Sequence, residues 1–208
     1  MKPMKHLGSL FLLACLSSTA FAANGITLGG GLNFSTNDKD PGDGIEKSSR
    51  MGYNLGIGYE KETSPGFFLV PELNIETRGV VAKGYDEDTE EDAKATLKMT
   101  YLQVPVFAMF KVPAGNALLS FFGGPSFGLN LSSEVALEEA GNKVSFDTKD
   151  GTEDFDFGIE FGGGLEFASA SGSFFLRPSY YFGLTDYGEG GDAKNRNFKL
   201  KVGYRIPR

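Results

Sequence analysis

Residues 154–167 read DFDFGIEFGGGLEF. Phe155, Phe157, Ile159, Phe161, Leu165 and Phe167 share one parity, and Asp156, Gly158, Glu160, Gly162, Gly164 and Glu166 share the other. Side chains of a strand point alternately to opposite faces, so the stretch predicts a strand with one apolar face and one face of carboxylates and glycines. The same period recurs along the chain. Ile26, Leu28, Leu32 and Phe34 alternate with Thr27, Gly29, Gly31 and Asn33, and Met51, Tyr53, Leu55, Ile57 and Tyr59 with Gly52, Asn54, Gly56, Gly58 and Glu60. Phe67, Leu69, Pro71, Leu73 and Ile75 alternate with Phe68, Val70, Glu72, Asn74 and Glu76. The stretch 97–111 is apolar on both faces; its phase is read with Leu102, Val104, Val106, Ala108 and Phe110 on one side and Tyr101, Gln103 and Lys111 on the other. Leu119, Phe121, Phe127 and Leu129 then alternate with Ser120, Gly124, Ser126 and Asn130. Phe174, Leu176, Pro178, Tyr180 and Phe182 alternate with Arg177, Ser179, Tyr181 and Gly183, and Phe198, Leu200, Val202, Tyr204 and Ile206 with Asn197, Lys199, Lys201, Gly203 and Arg205. These are eight strands, an even number that lets an up-and-down sheet close with both chain ends on one side.

The connections alternate in length. Long ones are expected at 36–49, 79–96, 132–152 and 186–195, and short ones at 61–66, 112–116 and 169–173. That alternation predicts an all-β fold, an eight-stranded antiparallel up-and-down transmembrane β-barrel with four long extracellular loops and short periplasmic turns. Charge sorts with length. The four long segments hold 18 acidic and 7 basic residues, with the densest run at 86–92, DEDTEED. The plain reading of that run is a solvated loop. DKDPGDG at 38–44 loosely resembles a calcium loop, but Gly42 stands where an EF-hand needs Asp or Asn.

A barrel in a bilayer explains the alternation. Backbone N–H and C=O groups find no water in hydrocarbon, so the sheet closes and leaves no edge. The outer face must be apolar, because an Arg or Lys at the midplane costs about 2–4 kcal/mol. The inner face can be polar if its charges pair. The expected inward acids are Glu60, Glu72, Glu76, Asp156, Glu160 and Glu166, and the expected inward bases are Arg78, Arg177, Lys199, Lys201 and Arg205. Six against five is near balance, and an unpaired buried charge would be strongly destabilising. The turn at 169–173 folds the next strand back so that Arg177 falls opposite Gly164 or Glu166; an Arg177–Glu166 contact is expected, with Arg205 nearby. An eight-stranded barrel has an interior that side chains just fill, and inward Gly29, Gly31, Gly56, Gly58, Gly162 and Gly164 make room for the long charged residues. Tyr53, Tyr59, Phe67, Phe167, Phe174, Tyr180, Phe182 and Tyr204 are candidates for aromatic girdles at the two interfaces.

The amino terminus changes the chemistry available. Lys2 and Lys5 precede an apolar run from Leu7 to Leu16, and Ala20-Phe21-Ala22 has the small-x-small form read by a signal peptidase. Residues 1–22 therefore read as a cleaved secretory signal and 23–208 as the barrel domain. A rival reading takes Leu12-Leu13-Ala14-Cys15 as a lipobox with Cys15 lipidated. Cleavage after Ala22 removes His6 and Cys15, the one His and the one Cys. The mature chain then has no disulfide, no thiolate nucleophile, no Ser–His pair and no His or Cys zinc ligand. No catalytic residue, cofactor or metal is expected. Asp156 and Glu160 lie roughly 13 Å apart at ~3.3 Å per residue, too far for a glycosidase pair. The formal charge of −7 becomes −9 once Lys2 and Lys5 are removed from the 20 basic residues against 27 acidic, which argues against nucleic acid as a partner.

YLQVPV (101–106), FFGGPSFGLNL (121–131), FGIEFGGGLEF (157–167), RPSYYFGLTD (177–186) and NFKLKVGYRI (197–206) resemble the PorT-type outer-membrane β-barrel proteins of Gram-negative bacteria. The resemblance covers nearly all of 23–208, most strongly its second half. It implies an integral outer-membrane protein, with the lipid bilayer as its main partner. Some relatives assist a protein-secretion system, so secretion-machinery proteins are possible partners. Members of the family usually end on an aromatic residue; here the chain closes Tyr204-Arg205-Ile206-Pro207-Arg208, so that signal is either weakened or shifted to Tyr204. The functional expectation is a monomeric, non-enzymatic barrel that presents loops or serves secretion. The alternative is a small porin or transporter. An outer-membrane enzyme and a soluble barrel around an apolar ligand fit the residues less well.

Overall fold

The structure is a computed structural model that describes residues 24–42, 44–86, 91–139, 142–169, 171–188 and 191–208. Its nine strands are β1 (Gly25–Asn37), β2 (Ile45–Ser64), β3 (Phe67–Asp86), β4 (Glu91–Ala114), β5 (Ala117–Glu139), β6 (Asn142–Asp147), β7 (Phe155–Ser169), β8 (Gly172–Gly188) and β9 (Gly191–Pro207). Eight of them form an antiparallel ring in the order β1-β2-β3-β4-β5-β7-β8-β9. The ring closes between the first and last strands, with Ile26 opposite Ile206, Leu28 opposite Tyr204 and Leu32 opposite Leu200. Closure leaves the ring no edge, which is what a sheet needs in hydrocarbon.

The alternation decides which face is which. On β7, Phe161 and Phe167 are exposed while Asp156, Glu160 and Glu166 are buried. On β2, Tyr53, Leu55 and Ile57 are exposed while Asn54 and Glu60 are buried. An exposed apolar wall around a buried polar interior inverts a water-soluble protein, and it is the arrangement lipid demands. The phase read for 97–111 also holds: Val104 and Phe110 face out, and Tyr101, Gln103 and Lys111 face in.

The strands run further than the sequence pattern placed them. The connection expected at 79–96 is mostly ladder, with Val80 paired to Leu97, Ala82 to Ala95 and Gly84 to Ala93. The connection expected at 132–152 carries the end of β5, the short β6 paired to it, and one 3-10 turn at Lys149–Gly151. A hairpin that leaves the bilayer still satisfies its backbone most simply by continuing to pair. β3 has 20 residues and β4 has 24, against the ~9–11 that cross a bilayer, so the upper part of this hairpin stands outside the membrane. At the other end the turns are tight. Gly66 and Gly115 adopt φ of +79° and +67°, a region that favours glycine, and let β2–β3 and β4–β5 reverse within two residues. The segment 1–22, with Lys2, Lys5, His6 and Cys15, and the side chains of 86–92 lie outside the described residues.

Candidate functional site

The barrel interior is the one place where the fold gathers chemistry from every strand of the ring, and its charges stack in levels. The lowest level lies beside the short turns, which face the periplasm in such barrels. Glu60 is its hub. Its Oε1 meets Arg177 Nη2 at 2.5 Å, and its Oε2 meets Lys111 Nζ at 2.6 Å and Arg205 Nε at 2.8 Å. Lys111 also holds Glu166 Oε2 at 2.6 Å, and the Ser173 hydroxyl donates to Glu166 Oε1. One level up, Lys201 Nζ meets Glu72 Oε2 at 2.6 Å and donates to Asn74 Oδ1 at 2.9 Å, with Arg177 Nη1 3.8 Å from Glu72 Oε1. Next, Lys199 Nζ bridges Glu76 Oε2 at 2.6 Å and Glu160 Oε2 at 2.9 Å, and the Ser179 hydroxyl donates to Glu160. The highest level is centred on Arg78. Its Nη1 meets Asp156 Oδ2 and its Nη2 meets Glu76 Oε1, both at 2.5 Å, and its guanidinium sits 3.9 Å from the Tyr181 ring centre and 4.9 Å from that of Tyr101.

Register explains why partners cross the lumen instead of meeting on neighbouring strands. Arg177 and Lys201 are directly opposite each other on β8 and β9, a repulsive pairing taken alone. Each turns to a carboxylate arriving from β2 or β3, Glu60 for Arg177 and Glu72 for Lys201. Such crossing needs space. A methyl group on Gly164 would come 2.7 Å from Ser120 Oγ and 2.9 Å from Arg177 Cγ, and one on Gly58 would come 2.9 Å from Glu72 Cγ. At these two positions the glycine gives volume to a long neighbour.

All eleven residues named from the sequence, Glu60, Glu72, Glu76, Arg78, Asp156, Glu160, Glu166, Arg177, Lys199, Lys201 and Arg205, take part in this set of contacts. The expected Arg177–Glu166 contact is present at 4.0 Å, with Arg205 3.8 Å from the same carboxylate, and two details go beyond the expectation. Arg177 finds Glu60 at 2.5 Å, while its distance to Glu166 is 4.0 Å. Leu165 pairs with Leu176, so Arg177 stands beside Gly164, one rung away from Glu166, whose oxygens are already taken by Lys111 and Ser173. Lys111 is the twelfth member, and it makes the balance six acids to six bases. Its parity with Tyr101 and Gln103 was the available signal; its partners depend on closure of the ring.

The interior is also less polar than its charges imply. Phe68, Val70, Phe107, Met109 and Phe122 form a buried apolar cluster inside the barrel on the β3–β5 side. Lys111 Nζ lies 4.9 Å from the Phe68 ring centre, and Arg177 stacks 4.1 Å from that of Phe175. Large side chains fill the half of the lumen that charges do not reach. Between the two halves, bounded by Glu72, Phe107, Phe122, Glu160 and Lys201, the cavity is about 10 Å³, room for about one water molecule.

Outside the lumen, Asp38 of the 38–44 stretch gives one carboxylate oxygen to Arg196 Nη2 at 2.6 Å and accepts the Lys194 N–H with the other. Among the described residues no group of three or more Asp, Glu, His or Cys is arranged to hold a metal ion.

A closed eight-stranded ring with an apolar wall and a paired, filled interior defines an integral membrane β-barrel. The comparisons name its family. The model for the outer membrane protein beta-barrel domain matches residues 21–188, and the chain belongs to that family. Among solved structures, it is similar to neisserial surface protein A, at 10% identity and a TM-score of 0.50, over 89% of this chain and 97% of that one. It is also similar to OprG of Pseudomonas aeruginosa, at 11% identity and a TM-score of 0.47, over 90% and 97%. Ail of Yersinia pestis follows at 16% identity and 0.38, over 88% and 97%. At such identity the likeness is one of fold. A comparison with curated protein sequences finds no match. The protein is an integral outer-membrane β-barrel.

Proposed function

We propose that the barrel is a non-enzymatic component of the outer membrane, anchored by its paired interior and presenting the extracellular ends of its hairpins to a partner. The observation that carries this reading is the filled lumen, in which the six carboxylates and six cations neutralise one another and the cavity beside Glu72, Phe122 and Lys201 has room for about one water. A barrel so packed serves as a post, and the parts left to do work are the extracellular segments, with 18 acidic residues against 7 basic. The PorT-type resemblance of the second half favours one such task, assistance to a protein-secretion system. Residues 1–22 act in this reading as the cleaved export signal.

Two measurements test it. In planar bilayers the purified barrel should show no conductance steps above leak; discrete steps would make it a small porin instead. Deletion in the native cell should deplete secreted cargo if the barrel serves secretion, and an unchanged secretome would remove that role while leaving the anchored barrel in place. Mass spectrometry of the mature protein, beginning at Ala23, checks the signal; a lipid-modified Cys15 at the amino terminus would contradict it.

A further inference from the structure

The extracellular segments are acidic, yet a group of cations lines one outer wall. On β4 the outward row that contains Phe110 and Val104 continues upward through Lys98, Thr96 and Lys94. Register places Glu134 on β5 opposite Lys98, and Glu138 opposite Lys94. On the far side of β5, Lys143 of β6 pairs with Glu138. On β3, Lys83 stands directly opposite Lys94, with Glu46 of β2 across from Lys83. Arg50 reaches the same wall over Gly79, which pairs with Lys98 and has φ +149°; a methyl group there would lie 3.0 Å from Arg50 Cδ.

Arg50, Lys94, Lys98 and Lys143, with Glu134 and Glu138, border a concavity of about 300 Å³. Its charges do not cancel among the described residues. Glu138 is engaged by Lys94 at 3.0 Å, and that hydrogen bond holds its carboxyl below the usual range. Among the described lining residues, Glu134 is the other carboxylate beside Arg50, Lys98 and Lys143. Arg50 Nη1 is buried without a hydrogen-bond partner. Two lysines directly opposite on paired strands repel, and an anion between them would relieve that. The height is informative too. Below Glu134 on β5 come the exposed Ser132 and then Leu131, where the apolar belt begins. The basic wall therefore stands just above the hydrocarbon, at the level of the outer leaflet's headgroups.

We propose that this concavity on the outer wall of β2–β6 binds the phosphate of an anionic outer-leaflet lipid. Lys94, Lys98 and Lys143 supply charge around the phosphate, and Arg50 adds its positive charge at the border. The inference needs the barrel to stand in the outer membrane and is independent of its cellular task.

The test reconstitutes the full barrel in phosphatidylcholine nanodiscs containing about one lipid in ten of bisphosphorylated lipid A, then measures by native mass spectrometry the lipid retained after transfer to mild detergent. The wild-type barrel should retain lipid A over phosphatidylcholine, and dephosphorylated lipid A should not be retained. Combined Lys94→Gln, Lys98→Gln and Lys143→Gln should reduce that preference by about five-fold per cation removed, while Lys98→Arg keeps it. Wild-type protein that migrates as a heat-modifiable barrel and retains lipid A no better than phosphatidylcholine would overturn the proposal and leave the barrel reading intact. Loss of heat-modifiable migration in the wild type would fault the barrel itself. Inorganic phosphate binding lipid-free barrel through the same lysines, without preference for lipid A, would also overturn it, because the ligand would then be a soluble anion.

Discussion

In the lumen, Glu60 holds three cations at 2.5–2.8 Å with its side chain fully buried. On the outer wall above the membrane, Lys94 and Glu138 meet at 3.0 Å with side chains 41% and 47% exposed. Both are ion pairs between strands of one barrel, and they answer to different physics. The luminal charges have left water, so each depends on its partner for most of the stabilisation that hydration would otherwise supply. The wall charges keep water and its screening, so their pairing adds little. Charge thus builds structure in the lumen, while on the outer wall it adds little to stability.

Substitutions can break that contrast. Glu60→Ala should have the largest effect, since it leaves Arg177, Lys111 and Arg205 around an empty centre. The expected loss is about 3–5 kcal/mol, measured by urea unfolding of the barrel from lipid vesicles. A loss under about 1 kcal/mol would mean that water enters the lumen freely and the contrast is false. Phe161→Arg, which puts a charge on the lipid wall near the middle of β7, should lose about 2–4 kcal/mol in the same assay. An effect near zero would place this row away from hydrocarbon. Gly164→Val should cost about 1–3 kcal/mol by crowding Ser120 and Arg177, and relief on combining it with Arg177→Ala would tie the cost to luminal packing. Lys94→Ala should leave the unfolding midpoint unchanged. A shift as large as that of Glu60→Ala would show the outer wall to be as tightly coupled as the lumen.

How much of this could be read in advance depends on range. Glu160 and Glu166 could be placed inside from their neighbours alone, because Phe161 and Leu165 at the opposite parity could not also be inside. Lys111 was harder: its strand is apolar on both faces, so the alternation that exposes β7 is muted there. The apolar cluster of Phe68, Val70, Phe107, Met109 and Phe122 was hidden for a related reason, since an apolar residue on the inner face of an apolar strand leaves no contrast to detect. The upper hairpins escaped notice because outside the bilayer both faces of β3 and β4 meet water, and Lys83, Lys94 and Lys98 blur the period-two signal.

The sequence by itself determined the eight strands of the ring, the lipid-facing wall and the identity of eleven of the twelve luminal charges among the described residues. These follow from pleat parity, a local property of each strand that needs no knowledge of its neighbours. Only the tertiary structure decided that Arg177 lies closer to Glu60 across the lumen than to Glu166, that Lys111 completes the balance, and that cations gather above the belt on β2–β6. Those outcomes depend on how the ring closes and staggers its strands, and a long side chain reaching across a narrow interior chooses its partner by distance in space, with no regard to distance along the chain.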